Sequence, residues 1–398
     1  MRNRILAPTV CCLCAVGSSI LSRAQPAPVI VAIRNARIMT VSGPDIASGT
    51  VLIVDGKIKA VGAEVTIPRA ATVIDATGKV VMPGLVDANA RFGLRATANE
   101  QSSEVTPQMR VLQQVNPRSP EIRRALQSGV TSACITPGSE NVVGGLCGVI
   151  KTSGETLKQM LLRNDVAELA ALGEDTFNGN GAFLRAGGAG LDSIYLRRPN
   201  SRMGAVFELR RALDQPEKYP MMARVRAGTL TLRVNARVAN DIRAAVTIAD
   251  EFKVPHLIID DCIEGYRDID VLAGRHIPVV LGPFSDPQSF APERSAALLN
   301  CAGLLSAAGV PVAFGTNGGD ETQLRMFAIL AVRGGMSADL ALKAITQTAA
   351  DISGVGDHVG SLQIGKDADI LILDGDPLEI TSNIEKVLIN GQVVYRAD

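Results

Sequence analysis

The chain predicts an α/β fold: a (β/α)₈ TIM-type barrel plus a small composite β-sandwich built from both chain ends. Three observations carry that expectation. Residues 85–357 alternate apolar, strand-like runs with amphipathic helical stretches, which implies a parallel sheet wrapped by helices. Residues 25–84 and 358–398 instead carry short apolar runs broken by turn residues, the pattern of antiparallel strands. At 398 residues the chain is long enough to bury one large core and one small one.

Taken in order, residues 1–24 read as a secretory signal. Arg2 and Arg4 supply positive charge, residues 5–21 are largely apolar, and Ser22-Arg23-Ala24 places small residues at the two cleavage-determining positions. Pro8, Gly17, Ser18 and Ser19 interrupt a run already short for a membrane span. The expectation is an exported protein, periplasmic or extracellular, with no membrane attachment after cleavage. Strands follow in VIVAIRNARIMTV, TVLIVDGKIKAVG and TVIDATGKVVMPG, with a hairpin turn at Asp55-Gly56 and another turn at Thr77-Gly78-Lys79.

In the middle, TSACITPG, LTLRVNA, HLIIDD, PVVLGP and PVAFGTN read as barrel strands. NDIRAAVTIADEF, SAALLNCAGLLSAAG, MFAILAVRGG and SADLALKAITQTAADISG read as helices between them, the last starting near Ser337. SGVTSACITPGSENVVGGLCG is glycine-rich without phosphate-loop spacing and reads as a loop after the early barrel strands. Residues 177–190 read as a surface loop, with a lid over the barrel mouth as the alternative. RRPNSRMGAVFELRRALDQPEKYP reads as a helix with a solvated basic face. The end returns to strands in VGSLQIGKDADILILDGDPL and IEKVLINGQVVY, punctuated by Gly365, Asp374-Gly375 and Asn390-Gly391.

Composition narrows function. Lys+Arg and Asp+Glu balance at 40 each, so no charge excess points to nucleic acid or an anionic membrane. Trp is absent and aromatics make up 3%, which argues against stacking platforms for bases or sugars. Beyond the signal, Cys134, Cys147, Cys262 and Cys301 are spaced neither as a zinc ribbon nor as a disulfide framework, and read as buried apolar residues. His256, His276 and His358 are the only histidines, and none is spaced as a ligand pair. Ser139 and Ser153 have no nearby histidine base, so a serine triad has no support.

Two tripeptides stand in matching register: Asn89-Ala90-Arg91 in MPGLVDANARFG and Asn235-Ala236-Arg237 in LRVNARVAND. The same tripeptide recurs at Asn35-Ala36-Arg37 in the flanking unit, so register within a barrel strand, and not the tripeptide itself, carries weight. With PGLVDA opening the barrel and Gly365-Lys366-Asp367-Ala368-Asp369 at the return, the chain resembles the amidohydrolase superfamily over nearly all of residues 25–398. The middle resembles its imidazolonepropionase-like branch.

That resemblance implies a site where His-x-His on the first strand, His on the fifth and sixth, and Asp on the eighth hold divalent metal that makes hydroxide near neutral pH. Position by position, the ligands fall on Asn89 and Arg91, Asn235 and Arg237, Asp261, and Asn317. Every one is substituted, so neither metal nor another cofactor is expected. Lys151 matches the lysine that some members carboxylate to bridge two metals.

Such a site supports two readings. In one, Arg91, Arg237 and Asp261 form a buried ion network, with Asn89, Asn235 and Asn317 filling the remaining hydrogen bonds. In the other, surplus positive charge binds a small-molecule anion, a carboxylate or phosphate. A hard-ion site of Asp260, Asp261, Asp320 and Glu321 is conceivable but opposed by the two guanidinium groups. The expected function is that of an ancestral hydrolase of non-peptide C–N bonds, such as cyclic amides, degenerate at its metal site and acting as a binding or partner subunit. One alternative is an active C–N hydrolase with an altered or metal-free mechanism, Asp261 or Asp260 serving as base. Another is a structural partner of an active paralogue in a hetero-oligomer, with a homo-oligomer as the other assembly.

Overall fold

The computed structural model describes residues 28–94, 98–100, 102–177, 198–283 and 299–397. The signal reading at residues 1–24, and all but the first residue of the loop read at 177–190, lie outside them.

The leading strands are β1 (Ile30–Ile38), β2 (Ile46–Val54), β3 (Lys57–Gly62), β4 (Thr72–Asp75) and β5 (Val80–Pro83). The barrel strands are β6 (Leu85–Ala90), β7 (Val130–Ile135), β8 (Val143–Lys151), β9 (Leu161–Ala171), β10 (Thr231–Asn235), β11 (Leu257–Asp260), β12 (Val279–Leu281) and β13 (Val312–Phe314). β14 (Ile370–Leu373), β15 (Ile384–Ile389) and β16 (Gln392–Arg396) complete the chain.

The two chain ends do pair. Their strands run β16-β15-β14-β5-β1-β2-β3, with β4 beside β1. The joint is antiparallel β5–β14, which sets Pro83 opposite Ile370. A continuous hydrogen-bonded path joins the strands of the two ends. The reason is β5, which bonds to β1 on one side and β14 on the other and so fuses the halves. Its own apolar core includes Ile33, Ile38, Ile53, Ile58 and Ile370. Both expected hairpins have left-handed backbone at their central residues, φ 49° and 78° at Asp55-Gly56 and 50° and 72° at Asn390-Gly391. That geometry is why Asx-Gly occupies two-residue loops between twisted strands.

The barrel sheet follows chain order from β6 to β13, and it departs from an all-parallel (β/α)₈ wall at one place. β8 runs antiparallel to both β7 and β9. The glycine-rich stretch is therefore a strand hairpin and not a loop. Its glycines admit a neighbouring backbone: the Leu146 amide donates to the Met109 carbonyl at 2.8 Å. A Cβ on Gly145, whose φ is 119°, would sit 2.5 Å from that same carbonyl oxygen. Between β13 and β6 the Asn317 amide donates to the Asn89 carbonyl at 2.7 Å. The buried Asp87 carboxylate reinforces the joint, accepting from the Thr316 hydroxyl at 2.7 Å and the Thr316 amide at 3.2 Å.

Helix Ala239–Glu251 connects β10 to β11, and Leu324–Arg333, Ala338–Ala344 and Gln347–Ile352 follow β13. Ser337 caps its helix by accepting from the Leu340 amide. The single helix expected after it breaks at Thr346, whose φ of −137° and ψ of −100° are not helical. On the basic face expected along the RRPNSRMGAVFELRRALDQPEKYP segment, Arg202 meets Asp241 at 3.0 Å and Arg210 meets Glu251 at 2.7 Å while both arginine side chains stay partly exposed to solvent. Among the described residues no helix is long and apolar enough to cross a membrane. Cys134, Cys147, Cys262 and Cys301 are all free and buried. Burial pushes the Cys147 and Cys262 thiols well up, consistent with inert apolar packing.

Candidate functional site

A barrel gathers the side chains at the C-terminal ends of its parallel strands into one mouth. Asn89 lies at the end of β6, Asn235 ends β10, Asp261 directly follows β11, and Asn317 lies just beyond β13. Arg91 and Arg237 come two residues after the two asparagines. Asp261 and Asn317 turn the chain with left-handed backbone, φ 57° and 46°. Asp and Asn tolerate that region better than other non-glycine residues, and such positions concentrate at functional sites.

Charge decides what the mouth can do. Arg237 Nε donates to Asp261 Oδ2 at 2.5 Å and Arg237 Nη2 to Asp175 Oδ2 at 2.6 Å. Burial alone would lower the Arg237 pKa, but Asp261 and Asp175 more than reverse it and hold the guanidinium charged. Burial likewise works against ionised Asp175, yet Arg237 and the Ser139 hydroxyl, 2.7 Å away, keep it below the ordinary carboxylate range. Burial pushes the Arg91 guanidinium down, against the opposing charges of Glu140, Asp175 and Asp261. The two arginines thus face three carboxylates, two of which lie outside the positions singled out in the sequence.

The asparagines divide. Asn89 Oδ1 accepts from the Thr136 hydroxyl at 2.6 Å. Asn235 is 1% exposed, and neither its Oδ1 nor its Nδ2 has a partner. Asn317 Oδ1 and Arg91 Nε are also buried without partners.

The hard-ion arrangement does not form. Asp260 is locked to the fully buried Arg233 by bonds of 2.8 and 2.7 Å, Asp261 to Arg237, and Glu321 to Arg124 at 2.6 Å. Asp320 accepts from Thr322. Among the described residues no three or more His, Cys, Asp or Glu are grouped to hold a metal ion. The three histidines lie in separate connections, and His358 lies 3.6 Å from Asp357.

Lys151 lies at the far end of the barrel from the mouth. Because β8 is antiparallel, its last residue pairs with Ser132 near the start of β7. There Lys151 Nζ donates to Asp367 at 2.7 Å, Asp369 at 3.1 Å and Asn390 at 2.5 Å. It ties barrel to end sheet and is not placed to bridge metals at the mouth. Arg233 and Asp87 were not singled out in the sequence either. Burial pushes Asp87 up to about 7, despite its bonds from Thr316 and the Asn89 amide. A carboxylate inside an apolar strand two residues before Asn89 was the available signal for it.

Residues 257–394 match the family model described as the amidohydrolase family. The amidohydrolase TasK of Hapsidospora irregularis is 24% identical over 398 aligned positions, covering 87% of this chain and 39% of that protein. A 5′-deoxyadenosine deaminase of Methanosarcina mazei is 51% identical over 59 residues, 14% of this chain and 13% of that protein. The chain therefore spans well under half the length of the curated relatives it matches. The crystal structure of an amidohydrolase from Thermotoga maritima superposes with a TM-score of 0.84 at 29% identity, covering 92% of this chain and 100% of that one. An adenosine deaminase from Xanthomonas campestris, solved with bound zinc, shares the fold at 18% identity and a TM-score of 0.55, over 93% of each chain. Residues 257–394 thus match the amidohydrolase family model, and the chain as a whole is similar in fold to the amidohydrolase from Thermotoga maritima.

Proposed function

We propose that this protein is an amidohydrolase that has given up metal-dependent hydrolysis and acts as a binding or partner subunit. The observation that carries the reading is Arg237, clamped between Asp261 and Asp175 at 2.5 and 2.6 Å. Asp261 is the one mapped ligand position still bearing an ionisable acceptor, and a guanidinium already occupies it. Asparagine is a weak neutral donor and arginine offers no lone pair, so the remaining mapped positions contribute little to a dication. The residues present do not fit the family's metal. Two nearby positive charges add a repulsion of about 4 kcal/mol per charge pair at 4 Å in a surface-like dielectric.

The altered-hydrolase alternative needs Asp261 or Asp260 as a free base. Each is instead ion-paired with an arginine, Asp261 with Arg237 and Asp260 with Arg233. The unpartnered Asn235 amide supports a binding role, because it offers donors and an acceptor to a ligand at the mouth.

Elemental analysis of the purified protein tests the reading. The expected result is no stoichiometric zinc, manganese or iron, and no metal-stimulated amidase activity. About one equivalent of transition metal per chain, lost in Asp261→Ala, would overturn it in favour of an altered hydrolase.

A further inference from the structure

Away from the mouth, the barrel wall carries a carboxyl group with nothing to hold its charge. On β9, Ala167 and Leu169 cluster with Val86, Cys134, Ile258, Val280 and Ala313 from other barrel strands, so they face the barrel interior. Alternation along the strand turns the residue between them, Glu168, outward. Its register partners are Leu146 on β8 and Leu232 on β10. Both belong to the outer apolar layer, together with Met222 and Val225 of helix Pro220–Arg226, which packs on β9. Glu168 is 0% exposed, and among the described residues neither of its carboxylate oxygens has a hydrogen-bond partner.

An ionised carboxylate in such a layer is strongly unfavourable, and protonation removes most of that cost. Burial accordingly pushes Glu168 well above the ordinary carboxylate range. Asp165, earlier on the same strand, adds to the rise, while the Gly145 amide of β8 and Arg224 of the covering helix pull the other way. Asp165 is itself paired with Arg110 at 3.0 Å. The covering helix has little of its own to hold it down. It spans seven residues and starts without a side-chain cap, so its apolar contacts with the wall keep it in place.

We propose that Glu168 is a proton-held latch: helix Pro220–Arg226 seats on β9 over the neutral acid, and ionisation at rising pH releases the helix ahead of the barrel. Once charged, the carboxylate needs water, and this helix is the layer that must lift to admit it. The folded pKa lies above the unfolded one, so the stabilisation is full below the ordinary glutamate value of 4.5. It is lost as pH rises toward the folded value. The inference does not depend on what the mouth binds.

The test is hydrogen exchange of the full chain read by mass spectrometry from pH 5.5 upward, with rates corrected for intrinsic exchange. Peptides covering residues 220–226 should lose protection about tenfold per pH unit until the folded value is passed, then level off. Peptides covering β10 should stay protected over the same range. Glu168→Gln, which cannot ionise, should make protection of 220–226 independent of pH. Glu168→Met, apolar and of similar length, should do the same and serves if the glutamine variant does not fold. Asp87→Asn, at the β6–β13 joint, should leave the pH-dependent loss in place. The proposal fails if protection of 220–226 is flat with pH in the parent, or falls as steeply in Glu168→Gln or Glu168→Met. It fails equally if Asp87→Asn abolishes the loss, or if β10 opens in step with the helix.

Discussion

Arg237 and Asp87 are buried side chains with opposite electrostatic problems. Removing the Arg237 guanidinium leaves Asp261 and Asp175 without their shared counter-ion, so Arg237→Gln should lose about 3–5 kcal/mol in urea unfolding. Adding Asp261→Asn should restore part of that loss, and a double variant as unstable as the two single losses summed would show the pair to be uncoupled. Asp87 poses the reverse case. Its folded pKa, about 7, lies above its ordinary value of 3.8, so the folded state holds a proton that the unfolded state releases. Its contribution is fully present below pH ~4 and is lost as pH rises through about 7, a change on the order of 4 kcal/mol. Asp87→Asn keeps the acceptor for the Asn89 and Thr316 amides and cannot ionise. The stability gap between it and the parent should widen in the variant's favour from pH 4 to 8, then stay flat. A pH-independent gap would mean that Asp87 does not titrate in this window.

At the scale of elements, the sequence made legible whatever depends on local pattern. The Asx-Gly hairpins, the Ser337 cap, the strand runs and the strand-end positions of Asn89, Asn235, Asp261 and Asn317 each follow from residues adjacent in the chain. What was not legible depends on distant partners. Nothing within the 128–151 stretch reveals that Met109 lies across Gly145 and makes a strand hairpin of a glycine-rich segment. Asp175 and Glu140 reach the mouth from connections between strands, which no strand pattern locates. Arg233 reads as one more charged residue until Asp260, two residues along the next strand from its register partner Ile258, is found bonded to it. The strand-end turns themselves are testable. At φ 46°, Asn317→Gly should leave stability within ~0.5 kcal/mol, while Asn317→Ala should cost about 1 kcal/mol more. Equal stabilities would indicate that the backbone relaxes there.

For the molecule as a whole, Lys151 is the tie between barrel and end sheet, holding Asp367 and Asp369 from the last residue of β8. Lys151→Met should strand the buried Asp369 and leave Asp367 with Lys57 alone, lower stability by about 3–5 kcal/mol, and separate unfolding into two transitions in calorimetry. A single sharp transition in that variant would show that other contacts couple the units. The β5–β14 joint has a consequence for how the chain is made. Synthesis delivers β5 early, but its antiparallel neighbour at residues 370–373 arrives only after the whole barrel has been translated. Until then β5 presents an unpaired edge to every other nascent chain on the polysome, an invitation to mispairing that holdase chaperones exist to cover. The small sheet is begun before the barrel and closed only after it.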